Sequence, residues 1–178
     1  MTGARARSWG TSCAGLVACL AWTLSPVQAQ EGASTPVPTV APSAGCPPGE
    51  ARGQDNVALA VAAVRAAAGL AGLARDGALD AAARAQACAL WAGGPVGHRG
   101  ADGTGPSDRA RAAGSRCALV WENLAVGPLT SAQAMRGWVS SDGHRRAMLD
   151  PRATHQGVAV VVLPTGGVVW VHALGGGC

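Results

Sequence analysis

Near the C-terminus two apolar runs, "GVAVVVL" (Gly157–Leu163) and "GVVWVHAL" (Gly167–Leu174), flank the turn-forming "PTG". Valine-rich runs of this length separated by Pro and Gly predict a β-hairpin. "CALVW" (Cys117–Trp121) predicts a third strand. Everything upstream reads differently. "NVALAVAAVRAAAGL" (Asn56–Leu70) is Ala-rich and predicts a helix with Gly69 near its end. A second helix is predicted from about Ala78 to Ala92, with Leu79, Ala83, Ala87 and Leu90 on one inward stripe and Cys88 off it. "PSDRARAAG" (Pro106–Gly114) carries Pro in its first turn and Gly past its end. "TSAQAMRGWVSS" (Thr130–Ser141) has Thr130 or Ser131 as cap, with Met135, Trp138 and Val139 inward. Helices first and most strands last define an α+β class, with helices packed on an antiparallel sheet.

The hairpin is crowded with Val because other large apolar residues are missing. The 178-residue chain contains no Lys, Ile, Phe or Tyr. Those residues have codons rich in A and T, so a GC-biased bacterial genome explains their absence. Arg5 and Arg7, the apolar stretch Cys13–Leu24 and "SPVQA" (Ser25–Ala29) have the layout of a secretion signal, predicting cleavage after Ala29. Lipidation at Cys19 is the less favoured alternative, because the residues after it stay apolar and a normal cleavage site follows. The apolar stretch is too short for a permanent transmembrane anchor. "QEGASTPVPTVAPSAG" (residues 30–45) predicts a Pro/Ser/Thr-rich spacer, leaving residues 46–178 as one folded domain, read as a monomer. After cleavage, twelve Arg face ten acids with no basic block, so nothing points to nucleic acid.

Four cysteines remain, Cys46, Cys88, Cys117 and Cys178, and an exported domain implies two disulfides in one of three pairings. Domain ends are often close in space, which favours Cys46–Cys178 and leaves Cys88–Cys117.

The chemistry turns on Glu122, a carboxylate inside the apolar run "LVWENLAVG" (Leu119–Gly127). Buried alone it would cost several kcal/mol, on the order of 2–7 for even an uncharged polar group, so it needs partners or water. The candidate partners are His98, His144, His155 and His172. By the two-residue strand period His172 shares a face with Val168 and Trp170 and reads as a packed core residue. His155 reads as a solvent-facing loop residue. Arg109, and in the same way Arg145, reads as the partner of an acid beneath a cavity.

Six segments in order resemble the CAP superfamily, which contains cysteine-rich secretory proteins, venom antigen 5 and plant pathogenesis-related proteins, in its bacterial SCP-domain branch. "VRAAAGLAGL" is similar to the R-x-x-x-G-L-x-x-L helix, "LDAAA" to L-x-x-A-A, and "GH" carries the following histidine. "DRARAAG", "WENLAVG" and "GWVSSDGHRRAMLDPRATHQGVAV" resemble R-x-x-x-x-G, G-E-N-I-A-x-G and the bacterial W-x-x-S-x-G-H-R-x-x-h-L-x-P…h-G-V-G-V. The resemblance implies an α-β-α sandwich with a central antiparallel sheet. It also implies a cleft holding His98, Glu122 and His144, with Asn123 and Ser141 as hydrogen-bond formers beside them. Glu122 would then sit at a strand end, open to a polar cavity and partnered by imidazoles. The chain departs from the pattern at Ser141, where animal members carry a second Glu, and at Trp121, Ala153 and Gln156.

His98, Glu122 and His144 would make a zinc set with an open position for water, although no cofactor is required. Three functions follow. The favoured one is a secreted or periplasmic, non-catalytic module binding a small apolar ligand or a cell-surface component. The others are a purely structural envelope protein and a metal-assisted hydrolase using the same three residues.

Overall fold

The computed structural model describes residues 45–47, 49–127 and 130–178. The predicted signal peptide and all but the last residue of the spacer lie outside them. The elements run α1 (Ala51–Ala67), β1 (Ala74–Arg75), α2 (Gly77–Trp91), α3 (Pro106–Ala112), β2 (Leu119–Gly127), α4 (Ser131–Ser140), α5 (Asp142–Met148), β3 (Ala153–Val162) and β4 (Val168–Gly176).

Local sequence explains most of the boundaries. α1 ends where Gly69 turns to φ 72°, with the Leu70 N–H closing on Arg65 O at 2.9 Å. Asp76 caps α2 through Leu79 N at 2.8 Å, and Thr130 with Gln133 forms a capping box on α4. Pro106 opens α3 and Gly114, at φ 87°, follows it. The predicted hairpin is β3–β4, antiparallel from His155↔Gly175 to Val162↔Val168. β2 pairs along the other side of β4, from Leu119↔Gly176 to Gly127↔Val168. The sheet order is β1-β3-β4-β2. The two residues of β1 run parallel to β3, so the predicted antiparallel sheet gains one short parallel edge.

The strand period of two sorts the core into two layers. Val158, Val160 and Trp170 pack on Val57 and Val61 of α1, Met135 and Trp138 of α4 and Met148 of α5. Ala159, Val161, Val169, Val171 and Ala173 face the other way, onto Leu79, Ala83, Ala87 and Leu90 of α2 and Ala110 of α3. This is the expected α-β-α sandwich. α2 lies so close to β3 that a Cβ on Gly157 would meet Leu79 C at 2.1 Å and Asp80 N at 2.2 Å. Asp80 completes the contact by accepting from Val158 N at 2.7 Å. On the opposite layer buried Arg65 ties α1 to the end of α5 and the start of β3, donating to Met148 O (2.7 Å), Asp150 O (3.0 Å) and Ala153 O (3.2 Å).

Several expectations need correction. The disulfides are Cys46–Cys88 and Cys117–Cys178. Cys46 precedes α1 but packs into the α2 layer, where Arg84 Nη2 donates to its carbonyl at 3.1 Å. Cys178 follows β4, whose antiparallel register with β2 brings it beside Cys117. Val139, expected inward, is 37% exposed, whereas Met135 and Trp138 are buried as predicted. Cys88 lies off the inward stripe, as expected, and is fully buried where it bonds Cys46. His155 lies on β3 rather than in a loop, with Nδ1 2.9 Å from Thr154 Oγ1.

Candidate functional site

β2 does not stop at Trp121 but continues through the polar dipeptide Glu122–Asn123 to Gly127. Alternation sends the two side chains to opposite faces. Leu124 and Val126, in phase with Glu122, pack with the α2/α3 layer, while Ala125, in phase with Asn123, packs with the α1/α4/α5 layer. Glu122 is therefore mid-strand and its side chain only 2% exposed, not at a strand end open to a cavity.

Its burial is compensated at both oxygens. Oε2 accepts from Arg109 Nη2 at 2.8 Å and Oε1 pairs with His98 Nδ1 at 3.0 Å. Arg109, on α3, is as buried as the carboxylate it meets. It also donates to Thr104 O at 2.9 Å and to His98 O at 3.1 Å, fixing the loop that carries His98. The acid expected beneath Arg109 is thus Glu122 itself. Pairing removes most of the cost of burying the carboxylate, and removing one partner would expose the other to that cost. Arg145 makes no such pair among the described residues: it is exposed on α5.

His98 is half exposed, 51% by side chain, with Nδ1 directed at Glu122 and Nε2 as its remaining nitrogen. The hydrogen bond to Glu122 raises its pKa above 6.5, with the carboxylate charge adding to the shift. Burial lowers His144, and the charge on His98 lowers it further, so the two imidazoles are electrostatic neighbours biased in opposite directions. His144 comes from α5, on the other layer, and is anchored through its backbone: Asn123 Nδ2 donates to His144 O at 3.2 Å. β2 therefore holds both histidines, Glu122 reaching one loop and Asn123 the other helix. Ser141 joins α4 to α5, its carbonyl accepting from Arg145 N at 2.8 Å, and among the described residues its hydroxyl bonds no imidazole. A nucleophile–base pair is not formed there.

Among the described residues no group of three His, Cys, Asp or Glu is arranged to hold a metal ion. Both oxygens of Glu122 are engaged, one by Arg109 and the other by His98. As placed, His98, Glu122 and His144 are not disposed as a three-ligand zinc centre.

His172 is packed in the core, as expected. It stacks on Trp138 with ring centroids 5.9 Å apart and lies 3.2 Å from Gln156 Oε1 through Nε2. Gln156 Nε2 already donates to Leu73 O at 3.2 Å, so His172 Nε2 carries the proton. Complete burial lowers its pKa to about 3.

A pocket of about 400 Å³ lies elsewhere, where the N-terminal turns of α1 and α4 meet the hairpin. Val160, Val162, Val168 and Trp170 give it apolar walls, while Glu50, Asn56, Thr130 and Ser131 supply the polar ones. Neither imidazole nor Glu122 lines it. The sequence signal for it is weak, since its apolar walls are residues that read equally well as ordinary hairpin core.

A disulfide-linked α-β-α sandwich, with a histidine–glutamate–arginine string on one sheet face, defines the protein class. Residues 59–174 match the family described as CAP, the cysteine-rich secretory protein family, and the chain belongs to it. A 67-residue stretch is 33% identical to the uncharacterized protein YkwD of Bacillus subtilis, covering 38% of this chain and 25% of that one. The fold is similar to that of an outer surface protein from Borrelia burgdorferi (TM-score 0.64, 21% identity, 68% of this chain and 90% of that one). It is also similar to an extracellular SCP-domain protein from Bacillus anthracis (TM-score 0.64, 20% identity, 71% and 41%). The chain thus spans a quarter of the curated relative and less than half of the Bacillus anthracis protein.

Proposed function

We propose that the chain is an exported binding module, secreted or periplasmic, whose folded part begins near Cys46 and which takes a small apolar ligand without catalysing a reaction. The observation that carries this reading is the full engagement of Glu122: a carboxylate bonded to both Arg109 and His98 serves a buried ion pair rather than standing as a free base. The pocket walled by Trp170 and three valines, rather than the polar string, offers the apolar surface such a ligand needs. Export is supported by the two disulfides. The Bacillus anthracis neighbour is described as extracellular and the Borrelia one as an outer surface protein, which is in keeping with it.

Organic extraction of purified protein followed by mass spectrometry tests the reading, beside Asn56→Trp and His98→Ala. Asn56 is exposed on α1 and lines the pocket, so a Trp there blocks it without entering the core. The expected result is a co-purifying apolar molecule, lost in Asn56→Trp and retained in His98→Ala. The reverse pattern would move the ligand to the histidine cleft. No ligand in any variant would favour a structural envelope role. Calorimetric titration with zinc separates the hydrolase reading: stoichiometric binding abolished by His98→Ala, Glu122→Ala and His144→Ala alike would revive it.

A further inference from the structure

The two disulfides differ in what surrounds them. Cys46–Cys88 is closed on its α2 side, where Cys88 is fully buried. Cys117–Cys178 is open on one side only. Cys117 is half-buried, its Sγ packed over Gly175 where a Cβ would come within 2.5 Å of it, whereas Cys178 is exposed. A β-bulge directs a hydroxyl at that exposed cysteine. Ala153 faces Gly176 and His155 faces Gly175, so Thr154 is an extra residue in β3. Successive side chains of a regular strand point to opposite faces. Here Thr154 Oγ1 instead lies 2.9 Å from His155 Nδ1 and donates to Cys178 Sγ at 3.8 Å. With its one proton committed to sulfur, the hydroxyl accepts from Nδ1–H. Backbone pairing of β2 with β4 reaches almost to the bond. Ala118 N donates to Gly177 O at 3.3 Å, one residue inside both cysteines. The strands therefore hold the two cysteines adjacent whether or not the sulfurs are bonded.

We propose that Cys117–Cys178 is a thiol–disulfide exchange site, opened by a small external thiol and reclosed without unfolding, while Cys46–Cys88 is a permanent tie. The external thiolate attacks Cys178 Sγ and the bond to Cys117 breaks. Cys117 leaves as a thiolate and takes a proton from solvent. A second external thiolate attacks the outer sulfur of the mixed disulfide and releases Cys178 as a thiolate. The two external thiols depart as their own disulfide, oxidised by two electrons, and the protein is left with two thiols. Exposed disulfides are the labile ones, and the rate of exchange follows access and the ease with which the leaving sulfur carries charge. Thr154 touches the reacting sulfur and donates to the thiolate formed there. His155 is a positioning residue that keeps the hydroxyl proton turned toward the sulfur. In the reverse direction the same Cys178 thiolate is the nucleophile. None of these residues lines the apolar pocket of the function proposed above, and the site does not depend on it.

Timed incubation of the oxidised full chain with reduced glutathione, followed by alkylation and peptide mass spectrometry, tests this cysteine by cysteine. Cys117–Cys178 should open about tenfold faster than Cys46–Cys88. Glutathione should be found on Cys178 rather than Cys117, and the β2 and β4 amides should stay protected from hydrogen exchange in the opened protein. Thr154 is exposed, so its replacement leaves the core alone. Thr154→Val should slow opening, and Thr154→Ser, which keeps the hydroxyl, should restore the rate. In the reduced protein His155→Ala should lower alkylation of Cys178 relative to Cys117, a ratio that a merely structural role would not move. The proposal is overturned if Cys117–Cys178 opens no faster than Cys46–Cys88, if glutathione settles on Cys117, if β2 and β4 lose their protection, or if Thr154→Val opens at the parent rate.

Discussion

Glu122 and His98 touch, yet they contribute to the fold unequally because their exposure differs. Glu122 and Arg109 are a buried ion pair, and truncating one member strands the other without its counter-charge. Glu122→Gln should cost about 3–5 kcal/mol by chemical denaturation. His98→Ala, at a half-exposed position, should cost about 1 kcal/mol or less. The same contact sets a pH dependence. His98 has a folded pKa above 6.5, so its contribution is complete below pH 6.5 and is lost as pH rises through the raised value. In Glu122→Gln the His98 midpoint should fall toward 6.5, and an unmoved midpoint would show that something other than the carboxylate holds it up. His172 has the opposite sign. Its folded pKa of about 3 lies below its unfolded value, so stability should decline as pH falls from 6.5 toward 3, by up to about 1.4 kcal/mol per unit. Denaturation midpoints of the parent and His172→Gln, measured across that interval, check this: the variant should lack that part of the slope.

At the scale of elements, what the sequence reveals depends on how local each signal is. The hairpin, the stripe on α2 and the caps of α3 and α4 are written in neighbouring residues, and all are present. β2 reads short in the sequence because Glu122 and Asn123 look like an end to an apolar run. They remain in the strand because residues far along the chain meet them, Arg109 pairing with Glu122 and His144 O accepting from Asn123 Nδ2. Motif resemblance brings His98 and Glu122 together correctly but gives no hint that a guanidinium occupies the second oxygen. β1 leaves no sequence signal since two residues carry no period. Contact between α2 and β3 depends on another nonlocal fact, the absence of a side chain at Gly157. Gly157→Ala would drive a methyl into the α2 backbone at Leu79 and Asp80. Overpacking of this kind costs about 1–3 kcal/mol and displaces an element. The expected sign is a lowered denaturation midpoint with weakened protection of the α2 amides in hydrogen exchange; an unchanged midpoint would mean that α2 can move outward freely.

For the whole molecule, the two disulfides and the sheet impose different constraints. Cys46–Cys88 closes 42 residues and Cys117–Cys178 closes 61. Chain entropy grows only with the logarithm of loop length, so each bond should contribute about 4 kcal/mol. Proximity of the chain ends suggests Cys46–Cys178, but proximity is a tendency, whereas register is a geometric requirement. Once β2 and β4 are antiparallel neighbours with Leu119 opposite Gly176, the cysteines just outside that pair must meet. The same register fixes Glu122 opposite Ala173 through a ladder of nine residue pairs, which does not need the disulfide to hold it. Replacing Cys117 and Cys178 together with Ser should therefore lower the thermal midpoint while leaving the raised His98 titration in place. If the His98 midpoint instead dropped to its ordinary value in the still-folded variant, the covalent bond rather than the strand pairing would be what positions Glu122 against the loop.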